Sequence, residues 1–521
     1  MKAIRKVIPG LAVIGLVMFT GASAMPAEPA GELVLAGDQW GVEMPLPGLE
    51  SNQGIDYMKL LYDSLVGTTP DGKLSTEGGV SNYWEMSRDA LTWTFQLRKG
   101  IKFHDGVELT ANDAKFSLDR ILQPDCKIPG ASDIRLTIKG VEVKSPYTLI
   151  VNCKKPSIFL PSLLSDDGYT AGLIHPKEYY ERVGKDKAVK NPVGSGPYKW
   201  HSQMSGSFIK LEAASKHWRD GVPRYKYVTF RVVPEEFTRI AMLKTGEVDI
   251  VRISRGKVKE MLDAGLNLCV KEDANLIVFR PGNQWASPVF SDIRFRKALN
   301  LAIDREAIVK RILEGRAKPA VTYPGMNILA CGGDPNLKPY PYDPEEAKRL
   351  IKEGGYTGHE FIVPSYTRDA APELPVIVET LCNYWERIGL KPKIVNLEWL
   401  TFREKLRKQD VANQVFGNAS AVSRDCPENI TRLRLNFHSK GEQTTCRIPE
   451  IDAMIEKAEK SLDPAEVLGL LGNVHRYAYQ NYLDIPICDI GQDIATTRRV
   501  PKWYPGARRM GMNLNDVVRQ R

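Results

Sequence analysis

Leu91-Thr-Trp-Thr-Phe-Gln-Leu97, then Arg98-Lys-Gly-Ile-Lys-Phe-His104-Asp-Gly106, then Leu109-Thr-Ala-Asn-Asp-Ala-Lys-Phe-Ser117, changes its apolar period within one short stretch. Leu91, Trp93, Phe95 and Leu97 alternate with Thr92, Thr94 and Gln96, which places all four apolar side chains on one face of a strand. Asp105-Gly106 is a turn signal. Thr110 stands before Ala111-Asn112-Asp113, where a hydroxyl accepts from the free N–H groups of a first helical turn, and the helix predicted there runs to about 122. Strand, turn and helix in succession point to an α/β chain.

Outward from this stretch the same alternation of periods continues. Strands are expected at 32–36, 141–144, 148–153, 226–233, 248–253, 276–279, 360–364 and 392–396. Helices are expected at 57–65, 157–164, 235–243, 344–353, 374–388, 399–408 and 451–461. The strongest helical pattern spans 292–315, where Phe295, Ala298, Leu299, Ala302, Ile303 and Ile308 recur at helical spacing. A chain of 521 residues exceeds what one hydrophobic core holds, about 250–300 residues, so two or more domains are expected. No fixed repeat and no low-complexity linker separates them, so the domains are woven together.

Composition excludes several classes. Hydrophobic residues at 43%, charged residues at 26% and a mean hydropathy of −0.29 are those of a soluble globule, not a polytopic membrane protein, a fibre or a disordered chain. The formal charge of +9 is spread without a basic stripe, which argues against a nucleic-acid partner. Lys2, Arg5 and Lys6 precede an apolar run over 8–19, and Ala22-Ser23-Ala24 offers a small-residue cleavage site, so residues 1–24 read as a signal peptide. The apolar run is shorter than the roughly 20 residues a membrane-spanning helix needs. Its removal lowers the charge to +6, and the first cysteine is Cys126, so no lipid-anchor cysteine stands at the cleavage point. The mature chain is expected to be free in the periplasm.

Export alters the meaning of the eight cysteines. No two are closer than 20 positions, which excludes CxxC redox and ribbon-type zinc motifs. An even count in an oxidising compartment favours disulfides. Cys426–Cys446, enclosing a polar loop, and Cys126–Cys153, flanking a strand pair, are the candidate bridges; Cys382, in an amphipathic helix, reads as a buried thiol.

Catalytic signatures fail on inspection. Gly67-Thr-Thr-Pro-Asp-Gly72-Lys73 matches half a phosphate loop, but Leu74 stands where a hydroxyl must hold Mg²⁺. His359-Glu360 lacks the second histidine of a zinc motif, position 363 being Val. Gly194-Ser195-Gly196, set between Pro192 and Pro197, is a tight turn with no base in view. The seven histidines are scattered. No catalytic residue, metal or cofactor is expected.

With these motifs in place, the chain resembles the extracellular solute-binding proteins of family five, which serve ATP-binding-cassette importers of peptides, nickel chelates, opines and related solutes. The stretches that carry the resemblance are 61–65, 91–106, 109–117, Pro192-Val-Gly-Ser-Gly-Pro-Tyr198, Ser291-Asp-Ile-Arg-Phe-Arg-Lys-Ala-Leu-Asn-Leu-Ala-Ile-Asp304 and Ile388-Gly-Leu-Lys391, in the family's order. The resemblance implies an α/β, two-lobed periplasmic-binding-protein fold with a hinge and an extra subdomain on the first lobe. It implies residues 25–280 and 486–521 in the first lobe, the subdomain over about 62–190, and 281–485 in the second. It implies a monomer that carries a small-molecule or peptide ligand to ABC permease subunits at the inner membrane. An exported hydrolase, or a binding protein serving a chemoreceptor or chaperone role, is the alternative.

The resemblance also implies where ligand is held. The second-lobe loop that carries an acid for the ligand's amine in peptide binders corresponds here to 416–427, with Phe416, Asn418 and Ser423 as candidates. Ser423 takes the acid's place, which argues against a free-amine dipeptide, since a buried ammonium without a carboxylate partner is costly, unless the loop shifts so that Asp425 compensates. Arg368 falls where dipeptide binders hold the ligand carboxylate, a group that a guanidinium fork grips in bidentate fashion. Tyr366 alternates with Arg368, and Trp40 and Arg252, in loops or strands of the first lobe, complete the candidates. A carboxylate-bearing or peptide-like solute is the expected ligand.

Overall fold

Alternation of apolar side chains builds the strands of this computed structural model, which describes residues 28–69, 72–124, 126, 131–166, 170–221, 223–323, 332–367, 371–421, 426–500, 502–506 and 511–518. Strand β1 (Glu32–Gly37) turns Leu33 and Leu35 into one core and Val34 and Ala36 toward another. A short hairpin follows, β2 (Gly67–Thr68) with β3 (Leu74–Ser75). Then β4 (Ser81–Met86), β5 (Thr92–Leu97), β6 (Ile138–Ser145) and β7 (Thr148–Cys153) form an antiparallel sheet in the order β4-β5-β7-β6. The helix Ala111–Leu122 covers it; Asp113 Oδ2 accepts the Thr110 N–H at 2.9 Å to close a capping box. Trp93, Phe95, Leu118, Ile121, Leu149 and Val151 share the core of this subdomain.

The principal sheet is built from β1 and β8 (Tyr198–Met204), β9 (Phe208–Ala213), β10 (Tyr227–Val232), β11 (Ile250–Ile253) and β12 (Asn267–Pro281). It is completed by β13 (Ala317–Pro319), β16 (Val415–Ala421) and β17 (Ile485–Thr496), while β14 (Glu360–Ser365) and β15 (Lys391–Asn396) form a separate parallel pair. The strand order is β16-β12-β17-β11-β1-β10-β9-β8, with β13 added on β17. β1 runs parallel to β10 and β11, and the remaining pairs are antiparallel.

β12 and β17 carry the chain between two bodies. Cys269 and Ile494 belong to a core shared with β1, β9 and β10. Farther along the same strands, Ile277, Phe279, Ile485, Ile487 and Ile490 pack with Phe295, Leu299, Leu374, Leu381, Trp385 and Phe402. Leu276 and Val278, on the opposite face, join a core with Leu433, Phe437, Ile451 and Leu471. The change of core coincides with a register shift between Lys271 and Asn275, opposite Gln492 and Ile490. It therefore lies inside the long strands, N-terminal to Pro281 and beyond Ile485, because backbone pairing continues through the crossing.

Several expectations are corrected. The strand expected at 276–279 is part of the longer β12, and β4, β8, β9, β16 and β17 were not foreseen. The single helix expected over 292–315 is two, Ile293–Leu301 and Arg305–Arg311. Asp304 Oδ1 accepts from Ala307 N at 2.8 Å and starts the second, while buried Arg305 donates to Pro486 O at 2.6 Å and Asn300 O at 3.0 Å. Neither expected bridge forms: Cys126, Cys153 and Cys446 are free, buried thiols. Cys126 Sγ donates to Gly48 O at 3.4 Å. Cys446 Sγ faces Phe437 O at 3.7 Å, whereas Cys426 begins the helix Cys426–Phe437. That helix, at 1.5 Å per residue, separates its ends by roughly 16 Å, well beyond the ~7 Å limit between bridged Cα atoms. The signal segment 1–24 lies outside the described residues.

Candidate ligand-binding cleft

Parallel strands β1, β10 and β11 end at Gly37, Val232 and Ile253, and the loops after their carboxyl ends are where open α/β sheets receive ligands. Trp40 follows β1 but belongs to the core: it is 2% exposed, its Nε1 donates to Arg231 O at 2.8 Å, and its ring meets Phe230 edge-on at 4.9 Å. Arg252, on β11, lies with its guanidinium 6.0 Å from the Trp40 ring centroid and pairs with Asp56 at 2.8 Å. Asp56 is buried and also accepts from Met512 N, so the C-terminal segment helps fix this arginine.

Arg255, just beyond β11, spans the two bodies. Its Nη1 donates to Glu373 Oε1 at 2.5 Å and its Nη2 to Gly491 O, on β17, at 3.1 Å. Glu373 precedes the helix Leu374–Arg387, whose buried face lies in the second core. The two side chains retain only 11% and 18% exposure, so the pair is largely removed from water. Arg252 Nε, Arg255 Nε and Glu373 Oε2 are each buried with no hydrogen-bond partner. Charged groups left in that condition cost free energy until a polar partner meets them.

The second-lobe candidates divide. Tyr366 is 4% exposed, donates its hydroxyl to Gly417 O, and stacks on Phe402 at 5.0 Å with Trp399 at 5.1 Å. Phe416 meets the same Phe402 at 5.3 Å. These rings are one aromatic cluster behind the wall formed by β16, in which half-buried Asn418 stands opposite Val278 of β12. Arg368 and Ser423 lie outside the described residues. The structure thus brings Tyr366 together with Phe416, and Trp40 with Arg252, and adds Arg255, Glu373 and Asp56. Arg255 had a sequence signal, a second arginine following the same strand end; Glu373 had none, its partner being 118 positions away.

Three buried histidines are held uncharged at neutral pH. Burial pushes His104 down to about 4, His175 down to about 3 and His475 down to about 4. Among the described residues no group of three or more His, Cys, Asp or Glu side chains is placed to hold a metal ion. Arginines and carboxylates around a cleft bind polar groups.

Two bodies joined by crossing strands, with polar side chains converging between them, define a two-lobed solute-binding protein of the periplasmic type. Residues 77–436 match the family described as "Bacterial extracellular solute-binding proteins, family 5 Middle", and the chain belongs to that family. It is similar to heme-binding protein A of Haemophilus influenzae, 28% identical over 415 residues that cover 74% of each chain. It is 30% identical over 348 residues to glutathione-binding protein GsiB of Salmonella paratyphi A, covering 66% of this chain and 65% of that one. HbpA2 from Haemophilus parasuis has the same fold, with a TM-score of 0.80 at 21% identity, covering 92% of this chain and 98% of that one. The chain is therefore a substrate-binding protein of the ABC-importer type and not an enzyme.

Proposed function

We propose that this protein is exported by residues 1–24, works in the periplasm as a monomer without a lipid anchor, and carries a carboxylate-bearing or peptide-like solute to the permease of an ABC importer. The observation that carries the reading is the pair of arginines at the end of β11, each with a buried Nε lacking a partner, beside a sheet crossing on which the lobes can close. The Nε–H of each guanidinium is free to donate to a carboxylate or carbonyl oxygen. Arg368 and Ser423 are the second-lobe contacts that the family resemblance adds. Of the solutes in the relatives' names, glutathione carries carboxylates and amides that arginines bind, and its free amine is the group that Ser423 argues against.

Native mass spectrometry of the purified protein identifies any co-purified solute, and calorimetry with glutathione measures binding directly. Capture without consumption of the solute is the expected result. Enzyme-like turnover, or retention only of solutes without a carboxylate or amide group, would overturn the reading.

A further inference from the structure

The helices Arg305–Arg311 and Leu374–Arg387 of the second lobe enclose a cavity of about 270 Å³, lined from the first by Ala307, Ile308 and Arg311 and from the second by Asn383, Tyr384 and Arg387. The second helix is 14 residues long, so Arg387 stands roughly 20 Å along its axis from Glu373 at the interlobe contact. The cavity is separate from the solute cleft. It gathers two cations that nothing neutralises. Arg349, also exposed in this lobe, meets acids one helical turn away, Glu346 at 2.7 Å and Glu353 at 2.6 Å. Three and four residues before Arg311 stand Ile308 and Ala307, and before Arg387 stand Tyr384 and Asn383. Glu314 lies past the end of its helix in the left-handed conformation, and Glu386, adjacent to Arg387, faces another side of the helix. Among the described residues neither arginine makes an ion pair or a hydrogen bond. Each stands in the last turn of its helix, where a cation suits the dipole, but that gain requires neither a shared cavity nor the absence of acidic neighbours.

We propose that Arg311 and Arg387, with Tyr384 and Asn383, form a second binding site, outside the solute cleft, for a tetrahedral dianion of the phosphate class. Two guanidinium groups balance two negative charges, and each offers paired N–H groups to the oxygens of one phosphate. A carboxylate, with one charge, leaves one guanidinium unbalanced. Pockets for whole small molecules span roughly 300–1,000 Å³, so a cavity of about 270 Å³ suits one compact anion. The half-buried Tyr384 hydroxyl has no hydrogen-bond partner among the described residues. Burial, then Asp304 and Tyr342, raise its pKa against the opposing Arg387 and Arg311, so the phenol keeps its proton as a donor. Asn383 adds an exposed amide, whereas Thr380, on the same wall, has spent its proton on Val376 O at 2.8 Å. Asp304, the acid nearest in effect, caps the opposite end of the first helix by accepting from Ala307 N.

The test titrates the full mature chain into inorganic phosphate at fixed ionic strength and about pH 8, where phosphate carries two charges, and follows phosphorus NMR line width. Acetate, followed by carbon NMR, is the monoanion control. The native protein broadens the phosphate line with a dissociation constant on the order of 1 mM, and acetate binds at least about tenfold more weakly. R311Q and R387Q each weaken phosphate binding about tenfold or more, and R387K, which keeps the charge without the planar fork, recovers part of the loss. All three keep native thermal melting, because both side chains are exposed and unpaired. Absence of saturable broadening with the native protein overturns the site. Acetate binding as tight as phosphate overturns the dianion class. Broadening kept in R311Q and R387Q but lost in R252Q assigns the phosphate to the solute cleft and overturns the second site. Each of these outcomes leaves solute capture standing, since the cavity does not share residues with the cleft.

Discussion

His217 Nε2 lies 3.1 Å from Asp63 Oδ1, and His217 Nδ1 lies 3.2 Å from Asp220 Oδ2, so one buried imidazole stands between two carboxylates. Trp218 Nε1 donates to Asp63 at 2.9 Å, and Arg219, which pairs with Asp220 at 2.9 Å, also donates to Gly78 O at 2.5 Å. This network fastens the subdomain to the loop between β9 and β10. Burial alone would lower the His217 pKa, but the charges of Asp63 and Asp220 outweigh it and hold the imidazole above its ordinary 6.5. Burial likewise opposes ionisation of Asp63 and Asp220, and their cationic neighbours overcome it, holding both carboxylates below the ordinary 3.8.

The histidine's contribution is complete below pH 6.5 and is lost as pH rises through its raised folded value. The carboxylates' contribution is complete above pH 3.8 and is lost as pH falls through their lowered values. The cluster therefore stabilises most between about pH 4 and 6.5, and melting of the native protein shows an alkaline decline that H217Q flattens. Identical alkaline slopes in the two proteins would show that the cluster is not the source.

Arg280 is 2% exposed and is fully engaged: Asp484 accepts from Nε at 2.9 Å, Asn436 Oδ1 from Nη1 at 2.9 Å, and Asn436 O from Nη2 at 2.7 Å. Arg280→Ala leaves Asp484 buried without its counter-charge and should cost about 3–5 kcal/mol in urea unfolding. An apolar replacement at both positions, R280M with D484L, should recover part of that loss. A loss under about 1 kcal/mol for Arg280→Ala would mean that the site collapses or hydrates on truncation.

Gly194 and Gly196 serve close packing. A Cβ on Gly194 would lie 1.9 Å from Leu61 O, and one on Gly196 would lie 2.4 Å from Leu60 O. The contacts are backbone atoms at the end of the buried helix Ile55–Leu61, which cannot swing aside. Gly194→Ala should destabilise by about 1–3 kcal/mol, as overpacking does. Ser195→Ala, at a neighbouring position without this contact, serves as the control and should leave solute binding unchanged.

The thiols should be silent in the folded protein. Burial pushes Cys153 up to about 11, and Cys382 and Cys446 up to about 12, so almost none of the reactive thiolate is present at neutral pH. Alkylation followed by peptide mapping should find Cys126, Cys153, Cys269, Cys382, Cys446 and Cys488 unmodified in the native chain and modified after unfolding. A Cys126–Cys153 or Cys426–Cys446 bridge recovered without reduction would contradict the free thiols.

The sequence by itself determined those features whose cause lies within a few residues. The alternation of Trp93, Phe95 and Leu97 dictates one face of β5, and Thr110 with Asp113 starts the helix Ala111–Leu122. The stretches around these elements carry the family resemblance, and hence the two-lobed fold and its binding role. Tertiary structure decided what depends on distant partners. The helical period over 292–315 could not reveal the break at Asp304, because Arg305 is held by Pro486 O, 181 positions away. Export and spacing favoured bridges for Cys126, Cys153, Cys426 and Cys446, but Cys126, Cys153 and Cys446 are buried as free thiols. Trp40 and Tyr366 were legible as residues near strand ends, yet their hydrogen bonds to Arg231 O and Gly417 O turn them into the cores. Arg252 meets Asp56 across 196 positions and Arg255 meets Glu373 across 118, and no local pattern encodes such pairs. Hydrophobic period and capping act along the chain, whereas the partner of a charged side chain is chosen by the packing that brings remote segments together.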